Sequence, residues 1–174
     1  MYLISAYFDD KTRKVLQRYM DAIAKKTGND YMITHQVPPH LTIAAIEAKN
    51  SEVLLPGFRQ VSEKITEGSI TIVSVGMLLP YVLYAAPVLN EYLQNLSACI
   101  AEVYANVPEV SLNRYYRPMQ WLPHITLGKQ LTQKQMQAAV EIMQRQFTAL
   151  EGKVTSIGLA EVNPHRDVET IRLV

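Results

Sequence analysis

The sequence predicts an α+β fold of two pseudosymmetric lobes, each built on mainly antiparallel sheet with helices packed outside, and three observations point to it. Two short segments, Pro38-Pro39-His40-Leu41-Thr42-Ile43 and Leu122-Pro123-His124-Ile125-Thr126-Leu127, match almost position for position. Around each, the same order recurs: a helix, a His-bearing strand, a second helix and a pair of strands, as a duplicated unit would give. Consecutive strands have hairpin-type spacing, which argues for antiparallel pairing. The 174 residues are enough for one folded unit with its own core. The whole chain, 1–174, is therefore expected to be a single domain of two duplicated lobes.

Taken in order, YLISAYF over residues 2–8 alternates and carries β-branched and aromatic residues, so it reads as a strand. Asp10 is the expected cap of a helix over residues 11–26, with Val15, Leu16, Met20, Ile23 and Ala24 on one face and Gly28 at its stop. HLTIAAIEA, residues 40–48, is a strand entered through Pro38 and Pro39. A helix is expected over residues 51–67, with an irregularity at Pro56-Gly57. Gly68 opens two strands, SITIVSVGMLL and YVLYAA, separated near Pro80. A helix over residues 88–106 precedes a tyrosine-rich polar loop, and HITLGK is the second His-bearing strand. Thr132 caps a helix to about residue 150. Strands over 153–162 and 168–174 close the chain, turning at Asn163-Pro164.

Composition narrows the function classes. Hydrophobic residues are 48% and charged residues 19%, ordinary for a soluble domain. The apolar opening is short and runs at once into acids, unlike a secretory leader. The stretch over residues 73–89 is interrupted by Gly76, Pro80 and Pro87, so no membrane span is expected and a cytoplasmic location is the default. The single cysteine, Cys99, excludes an internal disulfide and lies in a helical apolar run, where it reads as a core residue. A net charge of +1 disfavours long duplex nucleic acid as a partner, because such proteins carry a strong basic excess. Nothing demands more than a monomer.

The paired motifs carry the chemistry. Side chains on a strand alternate between faces, so His40 and Thr42 share one face while Leu41 and Ile43 take the other. The same holds for His124 and Thr126 against Ile125 and Leu127. The aliphatic face serves the core, and the His/Thr face is left to line something polar. A pseudo-twofold axis would set two imidazoles across a cleft with a hydroxyl beside each. Imidazole has an unperturbed pKa of about 6.5, so near neutral pH one ring can accept a proton while the other donates one. The Thr hydroxyls can donate to the non-bridging oxygens of a phosphate. One His on a strand is an ordinary structural residue, but structural demand alone does not ask for His at both equivalent points.

With both His-x-Thr motifs intact, the chain resembles the 2H phosphoesterases, which include the bacterial 2′-5′ RNA ligase-like proteins and the cyclic phosphodiesterases. The resemblance extends over nearly the whole chain in length and element order. It implies two lobes around a central cleft, with His40, Thr42, His124 and Thr126 as catalytic residues on its floor. It also implies metal-independent hydrolysis of 2′,3′-cyclic or related RNA-type phosphodiesters, with no cofactor. Alternatives within reach of the same residues are reversible 2′-5′ RNA ligation or end trimming, and a non-catalytic nucleotide or RNA-end binding module. In several relatives a basic residue follows the second motif, and Lys129 stands there; nothing equivalent follows the first, where Ala45 sits.

Other residues are candidates for holding the nucleotide or RNA end. Arg114, Tyr116 and Arg117, in the loop that runs through Trp121 into the second motif, interleave cations with aromatics, a pattern able to hold phosphate and stack a base. Tyr84, on a strand beside the expected cleft, is a further candidate. His35 and His165 lack partners at metal-ligand spacing and read as surface histidines; no metal site and no Gly-rich phosphate loop are found.

Overall fold

The computed structural model describes residues 1–162 and 166–174. Strand β1 (Tyr2–Phe8) leads into helix α1 (Asp10–Thr27), followed by a short helix α2 (Tyr31–Thr34) and strand β2 (Leu41–Glu47). Helix α3 (Leu55–Lys64), the hairpin β3 (Gly68–Leu78) and β4 (Val82–Pro87), and helix α4 (Glu91–Tyr104) come next. A two-residue β5 (Ser111–Leu112) and a 3-10 turn at Arg114–Tyr116 precede β6 (Ile125–Gly128). Helix α5 (Gln133–Gln146) and strands β7 (Leu150–Glu161) and β8 (Arg166–Arg172) complete it.

Several boundaries differ from the sequence expectation for identifiable reasons. Asp9, not Asp10, caps α1: its carboxylate accepts from the Thr12 N–H at 3.0 Å and from the Thr12 hydroxyl at 2.8 Å. Helix α3 begins only at Leu55, and Pro56 lies in its first turn, where a missing N–H costs nothing, so no internal break exists. Asn90 caps α4, which delays that helix from residue 88 to Glu91. Helix α5 starts behind Thr132 in a full capping box, as its sequence demands, but stops at Gln146 because Leu150 is already paired with Ile72 in the sheet. Helix α2 and strand β5 are additions that periodicity does not signal. The expected turn at Asn163-Pro164, and His165, lie outside the described residues.

All strands join one antiparallel sheet in the order β5-β2-β1-β7-β3-β4-β6, with β8 also on β7. That order is symmetric about the central β7–β3 pair: β1 and β4 flank it, and β2 and β6 flank them. The symmetry relates β1-α1-β2-α3-β3 to β4-α4-β6-α5-β7. Each half gives its last strand to the other half's arm of the sheet, β7 lying beside β1 and β3 beside β4. The sheet bends back on itself enough that β2 and β6, distant in strand order, come within 8 Å between Cα atoms. Helices pack in pairs, α1 with α5 and α3 with α4. The aliphatic partners of both motifs are in the core: Leu41, Ile43 and Ile125 are fully buried and Leu127 nearly so.

Candidate functional site

Each histidine immediately precedes its strand and is fixed in the same way. His40 Nδ1 lies 2.8 Å from the Pro38 carbonyl, and His124 Nδ1 lies 2.8 Å from the Leu122 carbonyl. A carbonyl can only accept, so Nδ1 carries the proton in both rings and Nε2 is the nitrogen with chemistry to offer. Both rings are half-buried, as is Thr126, while Thr42 is buried.

Both strands also bulge at the same point. Thr42 pairs with Ser5 and Ala44 with Ile4, which leaves Ile43 as the extra residue; Thr126 pairs with Tyr84 and Gly128 with Leu83, which leaves Leu127. A bulge bends its strand and re-aims the neighbouring side chains, and such bulges concentrate beside active sites. Here each follows the Thr of its motif, so the two polar faces are presented by matching irregularities.

A second repeated feature surrounds the histidines. The Tyr84 ring meets His124 edge-on with centroids 5.6 Å apart, and the Tyr7 ring tilts against His40 at 6.4 Å. Each tyrosine lies over a glycine of the next strand: a Cβ on Gly76 would stand 2.4 Å from the Tyr84 ring, and one on Gly158 would stand 2.6 Å from the Tyr7 ring. Burial, and then the nearby Asp167 carboxylate, pushes the Tyr7 phenol above its ordinary value, so it stays protonated. The two glycines end equivalent strand segments, Ile72-Val73-Ser74-Val75-Gly76 and Val154-Thr155-Ser156-Ile157-Gly158. Each segment bulges at its second residue, Val73 and Thr155. Sequence reasoning missed Tyr7 and both glycines. Aligning these two segments would have found the glycines.

The expected binding residues are dispersed. Tyr84 lies at the second histidine. The Arg114–Tyr116 turn hangs from β2, where β5 pairs Leu112 with Ile46 and the Asn113 N–H donates to the Ala45 carbonyl at 2.9 Å. The tyrosine-rich loop is thus carried by the strand of the first motif before it enters the second. Within it the Arg114 guanidinium donates to the Tyr115 hydroxyl at 2.7 Å and stacks 4.8 Å from that ring. Arg117 is exposed, and burial raises the Tyr116 phenol. Trp121 is a core residue. Lys129 follows β6, with its ammonium 5.6 Å over the Tyr31 ring, on which His35 also stacks at 4.1 Å. Cys99 is buried, and that burial raises its thiol pKa. No helix of the described residues is long and apolar enough to cross a membrane.

A family model described as the 2′-5′ RNA ligase superfamily matches residues 11–166. Among solved structures, Escherichia coli LigT complexed with 3′-AMP is similar over 99% of this chain and 97% of that one, with a TM-score of 0.63 at 13% identity. TT0787 of Thermus thermophilus gives 0.62 at 16% identity over the same shares. Kluyveromyces marxianus Usb1 gives 0.50 at 10% identity, again over 99% and 97%. No curated protein matches by sequence.

Proposed function

Because the chain belongs to the 2′-5′ RNA ligase superfamily, we propose that it is a phosphoesterase that opens 2′,3′-cyclic or related RNA-type phosphodiesters with His40 and His124 as general base and acid. The observation that carries this reading is the pair of matched Nδ1 anchors, which orient an imidazole in the same way at the start of each of two converging strands. Nε2 of the neutral ring takes a proton from water as its oxygen attacks phosphorus in line. Nε2–H of the other, protonated ring gives its proton to the ribose oxygen as the P–O bond breaks. The Thr42 and Thr126 hydroxyls donate to the non-bridging oxygens, whose charge rises in the transition state. Which ring is acid and which is base follows from the orientation of the substrate. The four residues need no metal for this chemistry.

The test is incubation with the four 2′,3′-cyclic nucleotides in EDTA, with product identification and the His40→Ala/His124→Ala double variant alongside. Hydrolysis by wild type alone supports the reading, and the 2′- or 3′-phosphate formed identifies the bond broken. Activity lost to EDTA and restored by a divalent ion would overturn metal independence. Tight nucleotide binding without turnover would make the protein a binding module.

One observation favours a longer substrate. The Arg114–Tyr116 turn, with Arg117 behind it, is carried on the outer side of β2 and offers cations and aromatics beyond the motifs. Reversible 2′-5′ joining or trimming of RNA ends uses the same four residues with such an extension. A higher kcat/KM on cyclic-phosphate-ended oligonucleotides than on cyclic mononucleotides, reduced by Arg114→Ala and Arg117→Ala, is the result expected of that reading.

A further inference from the structure

The pseudo-twofold symmetry, which α2 and β5 already interrupt, is also broken at the central β7–β3 pair. Beyond their shared pairing, β3 and β7 each continue past the other. On β7, the edge that pairs with β3 up to Val154 is taken over by β8, which pairs from Ser156 to Glu161. The equivalent edge of β3 pairs with β7 as far as Ile72. From Ser74 to Leu78, β3 pairs with β4 on its other side, and among the described residues no strand takes the place that β8 holds on β7.

An unpaired strand edge is a row of main-chain donors and acceptors at strand spacing, and proteins that leave one open protect it with charge, proline or brevity. This edge is short, but between Ser74 and Leu78 it carries neither charge nor proline. Residues 69–81 contain no charged side chain. Val73 and Met77 are 46% and 48% exposed. Beside the edge runs a groove of about 310 Å³ whose other wall is Val140, Met143, Gln144 and Phe147 of α5 and its end. By contrast β8, which covers the matching edge, carries Arg166, Asp167, Glu169 and Arg172.

We propose that the Ser74–Leu78 edge of β3 is a strand-addition surface, and that its occupant is the same edge of a second copy of this chain. Two antiparallel copies of one edge are self-complementary about a twofold axis, so every exposed main-chain group meets its counterpart. No like charge opposes the approach, because the segment has none. The surface is short, so the dimer is reversible and concentration-dependent.

The test is sedimentation of the full chain from low micromolar to millimolar concentration, with amide exchange measured at both ends of that range. The expected result is a monomer–dimer equilibrium in which residues 74–78 gain protection as the dimer forms. Met77→Lys puts two cations at the contact, and is expected to shift the equilibrium to monomer with an unchanged melting temperature. Val88→Lys, on another exposed apolar residue, should leave it in place. A wild type that is monomeric throughout overturns the proposal. So does a dimer that survives Met77→Lys, or one that protects other amides and not these.

Discussion

At the scale of single residues, two imidazoles have been given one orientation by one device, a main-chain carbonyl two positions upstream. The proposed mechanism needs both rings, so His40→Ala and His124→Ala are each expected to lower kcat about a hundredfold or more. Steady-state kinetics on a cyclic nucleotide checks this, and near-wild-type turnover in either variant would sink the two-histidine reading. Tyr7 packs against His40 through its ring, which gives a finer expectation. Tyr7→Ala should lower kcat about tenfold through a misplaced imidazole, while Tyr7→Phe should stay within about twofold. Equal losses in both variants would assign the role to the hydroxyl instead. The His and Thr of each motif could be read from the sequence as candidates because the motif is doubled at equivalent points. Tyr7 could not, since an aromatic on an alternating strand is also what any sheet prefers, and only the register that lays it over Gly158 distinguishes it.

At the scale of elements, Asp9 joins helix to sheet. Besides capping α1 it accepts from the Lys153 N–H at 2.8 Å, and its own N–H donates to the Lys153 carbonyl at 2.9 Å. Burial pushes its carboxyl up, but the hydrogen bonds from Thr12, Lys153 and Lys11 outweigh this and hold it below the ordinary value. With the folded value lowered, its contribution is complete above the unfolded value of about 3.9 and fades as pH falls through the folded one. Asp9→Ala is expected to cost about 1–2 kcal/mol near neutral pH, and Asp9→Asn to make the melting temperature less sensitive to acid. Denaturant melts at pH 7 and pH 3 check both; equal losses for Asp9→Ala at the two pH values would refute the linkage. Caps such as Thr132 and stops such as Gly28 were readable because a few local atoms decide them. The end of α5 was not, because Leu150 is claimed by a partner on β3 that lies far away in sequence. Helix α2 and strand β5 escaped for the same kind of reason: they are too short to show a period, and their surroundings make them.

At the scale of the molecule, the element order of the two halves was written in the sequence, but the exchange of β3 and β7 between arms was not. Self-contained and exchanged lobes have the same order of helices and strands, and only pairing tells them apart. The exchange gives both histidines a shared foundation, since each arm contains a strand from the half that carries the other histidine. Unfolding is therefore expected as one transition by both tyrosine fluorescence and circular dichroism, and two separated transitions would contradict it. The exchange also alters what the peptide link between halves is for. The β3–β4 turn that joins them is exposed at Leu79 and Tyr81, and once the strands are exchanged it acts as a tether and not as a structural member. Cut there, fragments 1–80 and 81–174 should each be unable to complete a sheet alone. Made together, they should complement one another into a noncovalent protein.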